Sequence, residues 1–422
     1  MRTFGLMVSL VIGALASTAS AGAPSYSLRP VLRPLAAALD AQKPVEVAAN
    51  TKGLQRWIKR YKSRALKAGI SATVLDQAFR GVEYNAAIIK KDRNQNEFTK
   101  TIWDYLDSAA SDARIRNGKA ALNKHNATLQ KIEMRYGVDK EVVVAIWGLE
   151  SAYGTFKGST PVIEALATLA YDGRRGDFFE EQLTAALSIL QNGDVTVQNM
   201  KGSWAGAMGH TQFMPTSFQS YAVDFTGDGK RDIWSGDPTD ALASTAAYLK
   251  HFGWKKNQPW GVEVKLPKGF DYASANRENL KNPSEWARLG IKDMRGRAVP
   301  NHGKASILLP AGAQGAAFMI FKNFDAIEHY NTADAYVIGV GHLADRIQGG
   351  PAIQSSWPRA DRALTYKERI ELQKRLTKAG FDTQKIDGKI GPLTIAAVRD
   401  YQRSEDMVPD GYASLTLLKT LR

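Results

Sequence analysis

Between Glu141 and Glu150 the chain runs through eight consecutive residues that are apolar or Gly, Val142-Val-Val-Ala-Ile-Trp-Gly-Leu149. A helix that is apolar on every side has no face to give to water, so it must run through the middle of a domain. Spacing of four and then three puts Val143, Trp147 and Glu150 on one face. Glu150 is thereby carried into apolar surroundings at the negative end of its helix. Burial and the helix dipole both disfavour a carboxylate there, so its pKa is expected to rise. A carboxylic acid held protonated near neutral pH suits a general acid.

With 422 residues, 44% of them hydrophobic, the chain can bury a large core and is expected to hold more than one domain. Its formal charge of +14 suits a polyanionic partner. Compartment narrows that choice. Met1-Arg2 leads into a short apolar run, Phe4 to Ala16, and small residues follow to Ala21. This pattern predicts a secretory signal peptide over residues 1–21; the run is too short for a membrane anchor. No later stretch is apolar enough to span a bilayer. The chain has no cysteine, which excludes disulfides, a thiol nucleophile, thiolate metal sites and a lipid-bearing cysteine. An exported, soluble protein without stable membrane insertion is expected, and export argues against nucleic acid as the partner.

Residues 22–50, rich in Ala, Pro and Ser, read as a linker. Helical patterns dominate residues 51–350, among them Leu54–Ala68, Ala120–Tyr136, Pro161–Tyr171, Phe178–Asn192 and Asp240–His251. Within this region, Val262 to Leu309 alternates in short runs and predicts a small β or loop-rich insert. Gly349-Gly-Pro351 and Ser355-Ser-Trp-Pro358 mark residues 351–362 as a second linker, and residues 363–422 form a separate, mainly helical unit.

The second chemical landmark is Ser203-Trp-Ala-Gly-Ala-Met-Gly-His-Thr-Gln-Phe-Met-Pro-Thr-Ser-Phe218. Its glycines and proline forbid a long regular helix. Gly206 and Gly209 are expected to let the backbone approach a ligand, and Ser203 and Gln212 can each donate and accept hydrogen bonds. Beside Glu150 this reads as the floor of a saccharide site. The six histidines show no paired metal-binding spacing, and no Gly-x-Ser-x-Gly elbow occurs.

Ala145-Ile-Trp-Gly-Leu-Glu-Ser-Ala-Tyr-Gly154 and Gly206-Ala-Met-Gly-His-Thr-Gln-Phe-Met-Pro215, followed by Asp224-Phe-Thr-Gly-Asp-Gly-Lys-Arg-Asp-Ile-Trp234, resemble the signature segments of the B-type lytic murein transglycosylases. The resemblance runs from about Leu54 to Ile347. It implies a mainly α, lysozyme-like catalytic domain over residues 51–350. That domain would cleave the β-1,4 bond between N-acetylmuramic acid and N-acetylglucosamine in peptidoglycan, leaving 1,6-anhydromuramoyl ends without water. Glu150 falls on the family's catalytic carboxylate, acting as acid and then as base. A hydrolytic muramidase on the same scaffold and a non-catalytic wall-binding protein are the alternatives.

The resemblance also implies that Ser203 and Gln212 contact the sugar, with Tyr248, Tyr330, Tyr336 and Tyr105 as aromatic groove residues; ordinary packing is the alternative for the tyrosines. Arg174 and Arg175 resemble a pair that holds acidic parts of the substrate, against a solvated charge pair. Glu164 and Glu180, the nearest other carboxylates along the chain, sit on amphipathic helices and are not expected to act in catalysis. No cofactor is expected to be required.

Asp224, Thr226, Asp228, Lys230 and Asp232 occupy positions 1, 3, 5, 7 and 9 of an EF-hand-like loop, a candidate structural calcium site. Position 12 is Ser235, so Asp237 or Asp240 is needed to close the shell, and an acidic surface turn is the alternative. At the C-terminus, Tyr366–Ala379, Ile386–Gln402 and Val408-Pro-Asp-Gly411 resemble the three-helix peptidoglycan-binding module of wall hydrolases. A tethered second site raises the local concentration of glycan at the first. The implied setting is the periplasm, with glycan strands as partner, wall-assembly proteins as further candidates, and a monomeric state.

Overall fold

The computed structural model describes residues 43–93 and 100–422. The expected signal peptide, and the expected linker as far as residue 42, lie outside these. The linker's last residues are helical, because the first described helix is Lys43–Lys67. Among the described residues the molecule is mainly α, with seventeen α-helices and a few short strands.

The Lys140–Ser151 helix is the axis of the large body, and every residue from Val142 to Ser151 is buried. It is wrapped by the helices Asp334–Gln348, Asp112–Lys124, Asn126–Tyr136 and Thr239–His251. Its end is abrupt. Ala152, Tyr153 and Gly154 all take positive φ, at 48°, 59° and 85°, so the chain reverses just past Glu150. Tyr153 then folds edge-on against Trp147 and donates 2.8 Å to the Arg114 carbonyl. Those contacts hold two non-glycine residues in a conformation that costs about 1–3 kcal/mol each.

The expected single helix over Ala120–Tyr136 is two, Asp112–Lys124 and Asn126–Tyr136, hinged at His125. The hinge sets the His125 ring edge-on against Trp147, with centroids 5.5 Å apart. A four-stranded antiparallel sheet runs in the order Lys292–Asp293, Gly261–Lys265, Ala317–Ile320, Ser306–Leu308. It builds its own core around Val264, Trp286, Ile307 and Met319. The Ala317–Ile320 strand lies beyond the expected insert and is the one that pairs with both Gly261–Lys265 and Ser306–Leu308.

The C-terminal unit packs three helices, Tyr366–Lys378, Pro392–Ser404 and Leu415–Thr420, on Leu372, Leu376, Val398, Leu417 and Leu418. A capping box of Thr365 and Glu368 starts the first of them. The segment before it, expected as a linker, is pinned to the body. Glu263 accepts the backbone N–H groups of Gln354 and Ser355, Arg359 pairs in a fork with Asp107, and Trp357 lies against Trp103. Beyond it, the Asp410 carboxylate accepts the Ala313 N–H at 2.8 Å, and Arg399 donates to the Ala275 carbonyl at 3.1 Å.

Candidate active site

Glu150 is 3% exposed. The Tyr336 hydroxyl, reaching across from the Asp334–Gln348 helix, donates 2.8 Å to its Oε1. Burial pushes the Glu150 carboxyl up to about 8, while the hydrogen bond from Tyr336 pulls the other way. Tyr336 is itself raised well above the ordinary phenol range by burial and by the neighbouring Glu150, so it stays a donor. With Oε1 accepting from Tyr336, the acid proton belongs on Oε2. Among the described residues no second carboxylate acts on Glu150. Glu164 accepts from Asn85, and Glu180 is held in a fork by Arg64.

The Ser203–Phe218 segment closes on itself. Met208 bridges both Gly202 and Phe213, and the Ser203 hydroxyl accepts the N–H groups of Ala205 and Ala207 at 3.3 and 3.1 Å. Gly206 and Gly209 do not make room for a ligand, as the sequence suggested. A Cβ at Gly206 would meet Leu166 at 2.5 Å, and one at Gly209 would meet the Ile233 carbonyl at 2.2 Å. They let the loop press on its own domain. Gln212, at φ 54°, donates from Nε2 to the Lys157 and Gly209 carbonyls at 3.1 and 2.8 Å. Both its amide protons are thereby used, and Oε1 stays buried with no donor among the described residues. That orientation fits Gln212 to accept a hydrogen bond from a sugar N–H or O–H.

The tyrosines divide. Tyr336 touches Glu150, and Tyr105 lies close enough for the Glu150 charge to raise it further beyond the effect of burial. Tyr330 and Tyr248 spend their hydroxyls on the carbonyls of Thr211 and His329, both at 2.6 Å. Both rings pack on Phe213 at a centroid distance of 5.8 Å and on each other at 5.0 Å. Packing therefore accounts for most of each, although their edges still line a small cleft with Gln212 and Ser217.

The paired arginines share a partner inside the protein. Arg174 and Arg175 donate to the two oxygens of Asp92 at 2.6 and 2.5 Å, and Asp92 is 2% exposed. One of the two charges compensates this buried carboxylate, and Arg174 keeps 40% of its side chain exposed.

His210 was not picked out from the sequence, although it lies inside the second motif. Trp147 Nε1 donates to its Nδ1 at 3.2 Å, so the proton sits on Nε2, which donates 2.8 Å to the Ser235 carbonyl. The Ser151 hydroxyl donates to the His210 carbonyl at 2.5 Å. Burial pushes the imidazole down to about 4, which keeps it neutral. His210 thus ties the end of the Glu150 helix to the loop after the acidic segment.

In that segment the carboxylates that converge are Asp224, Asp228 and Asp240, with oxygens within 4.8 Å of one another. Asp232 is not among the three; its Oδ1 accepts from the backbone of Trp234 and Ser235. Thr226 donates its hydroxyl to Asp224, and the Lys230 N–H goes to Asp228. Asp240 is 2% exposed, and burial holds its carboxyl above the usual range despite three backbone N–H donors. An all-oxygen set carrying three charges, one of them buried, fits a hard divalent cation.

A family model described as "Transglycosylase SLT domain" matches residues 53–345, and one described as "Putative peptidoglycan binding domain" matches residues 365–421. The chain is 48% identical to SltB3 from Pseudomonas aeruginosa, solved in complex with NAG-anhNAM-pentapeptide; the TM-score is 0.86, covering 87% of this chain and 99% of that one. It is 29% identical to the Escherichia coli lytic transglycosylase Slt35, solved in complex with calcium, with a TM-score of 0.60 over 71% of this chain and 94% of that one. It is also 34% identical, over 240 residues, to membrane-bound lytic murein transglycosylase B of Escherichia coli (strain K12). That match takes in 55% of this chain and 63% of the relative, so it spans less than two thirds of that relative's length.

Proposed function

Because the chain belongs to the SLT transglycosylase family, with a peptidoglycan-binding module behind the catalytic body, we propose that it is a lytic transglycosylase of peptidoglycan. It cleaves the β-1,4 bond between N-acetylmuramic acid and N-acetylglucosamine. The observation that carries this reading is a buried carboxyl raised to about 8 and hydrogen-bonded by the phenol of Tyr336.

Glu150 gives its Oε2 proton to the glycosidic oxygen as the C1–O4 bond breaks. The muramoyl C6 hydroxyl then closes on C1, its proton returns to the Glu150 carboxylate, and a 1,6-anhydro ring forms. The proton count balances without water. Tyr336 supports the middle of this sequence, because its hydrogen bond favours the ionised carboxylate. The usual two-carboxylate scheme needs a nucleophile or base beside the acid. Here the substrate's own N-acetyl group is the partner that stabilises positive charge at C1, and the free acceptor of Gln212 is oriented to hold it.

Asp224, Asp228 and Asp240 would hold a calcium ion. Its charge would fix the acidic loop, whose far end carries the Ile233 and Ser235 carbonyls that bind His210. The site is then braced from behind. No described helix is long and apolar enough to cross a membrane. The N-terminal apolar run followed by small residues is what supports export to the periplasm.

Mass spectrometry of a peptidoglycan digest tests the reading. Anhydromuramoyl products are expected, and reducing ends carrying one added water would overturn it in favour of a muramidase. A digest identical to the undigested control would leave only a wall-binding protein.

A further inference from the structure

A second cleft, of about 620 Å³, opens between the large body and the pinned segment that leads to the C-terminal unit. Leu106, Ala110, His342, Arg346, Ile353 and Trp357 are among its lining. Its volume suits a small ligand, and its place between two units is where such sites recur. The two helices that build it also build the catalytic centre. Ile102–Ala109 brings Tyr105 toward Glu150 and Leu106 into the cleft. Asp334–Gln348 brings Tyr336 onto Glu150. Its stripe of Gly339, His342 and Arg346, spaced three and then four, runs from contact with Tyr105 and Ala109 into the cleft.

The charges of the cleft are unequal. Asp107 is neutralised by the Arg359 fork. Burial and the nearby Arg346 push His342 down to about 4, so it adds no charge. Arg346 has no carboxylate partner among the described residues, and its Nε is buried without an acceptor. Arg346 lines the cleft, and a ligand carboxylate there would supply the charge partner it lacks. Asp112, exposed at the rim, suits an amine of the same ligand.

The geometry points to this cleft as a subsite for the peptide stem carried by the muramoyl sugar, with Arg346 taking a carboxylate of that peptide. It rests on the proposed cleavage of peptidoglycan. Along the helix, His342 and Arg346 lie ~9 and ~15 Å beyond Tyr336. An extended peptide covers that span in about three to five residues.

The test compares glycan strands that carry their stems with strands stripped by an amidase, using the whole chain. Arg346→Ala is expected to lower kcat/KM on stem-bearing strands about ten- to a hundredfold, through KM, and to leave stripped strands within about twofold. Ser356→Trp, which fills the cleft from an exposed position, should reproduce that selectivity if Arg346→Ala folds poorly. Equal losses on both strands, or no loss on either, would overturn the proposal. Calorimetry with the free stem peptide on Glu150→Gln protein separates the two readings. If the wild-type chain cuts neither strand yet this peptide binds in an Arg346-dependent way, the catalytic reading fails and the subsite stands. If the peptide shows no Arg346-dependent binding and the strands no selectivity, the subsite falls.

Discussion

The Tyr336 hydroxyl donates to Oε1 of Glu150 across 2.8 Å, and both side chains are almost fully buried. The bond favours the charged carboxylate, while the surroundings disfavour it more strongly. Glu150 can therefore act as an acid near neutral pH and still be supported after it has lost its proton.

Tyr336→Phe removes the stabilised anion but keeps the burial, so the Glu150 pKa should rise further. Activity that needs the protonated acid falls as pH passes about 8 in the native chain. That alkaline limb should move to higher pH in the variant, with a lower plateau. A pH profile of kcat/KM checks both.

Glu150→Gln should cut turnover at least about a hundredfold and leave binding to wall sacculi intact. It should also stabilise the fold at alkaline pH. The folded pKa is raised, so the unfolded chain gives up its proton near pH 4.5 while the folded one holds it to about 8. Stability is full below the lower value and declines between the two. The Gln variant escapes that decline, and on the order of 1–4 kcal/mol should separate the two proteins in denaturant melts at pH 9 but not at pH 4.

His210→Ala deprives Trp147 Nε1 of its acceptor and the Ser235 carbonyl of a donor, inside a packed region. A loss of about 2–4 kcal/mol in urea unfolding is expected. His210→Asn, which can keep an acceptor near Trp147, should recover part of it.

Calcium is expected to raise the Tm of the native chain, and a chelator should reverse the effect. Asp240→Asn should abolish the calcium response, because it removes the buried charge of the three-carboxylate set. An unchanged response would reject these residues as the ligands.

Asp92→Asn should destabilise the fold by about 3 kcal/mol or more, since two guanidinium groups lose their shared partner. KM for stem-bearing strands should stay within twofold. A large KM effect would restore the arginine pair to substrate binding.

The burial of Glu150 was legible because eight apolar or Gly residues leave a helix no other place. The partner of the Arg174–Arg175 pair was not legible, because Asp92 lies about eighty residues earlier, and nothing local distinguishes a substrate-facing guanidinium from an internally paired one. The Ala317–Ile320 strand was missed because a short continuous apolar run reads the same as a piece of buried helix. Asp240 was legible only as one of two candidates, since its approach to Asp224 depends on where the Thr239–His251 helix docks. His210 was passed over for the opposite reason. Its chemistry here is to join two segments, and a search for paired metal ligands is blind to that.

The pinned segment between Gln354 and Arg359 changes what a two-site protein can do with a polymer. A loose tether lets the second site search a volume, and chain entropy sets how often it meets the strand. With Glu263, Asp107 and Trp103 gripping the connection, separation and direction are built in. The repeat length of the glycan then decides whether one strand can occupy both sites, and the molecule works as a gauge held against the wall.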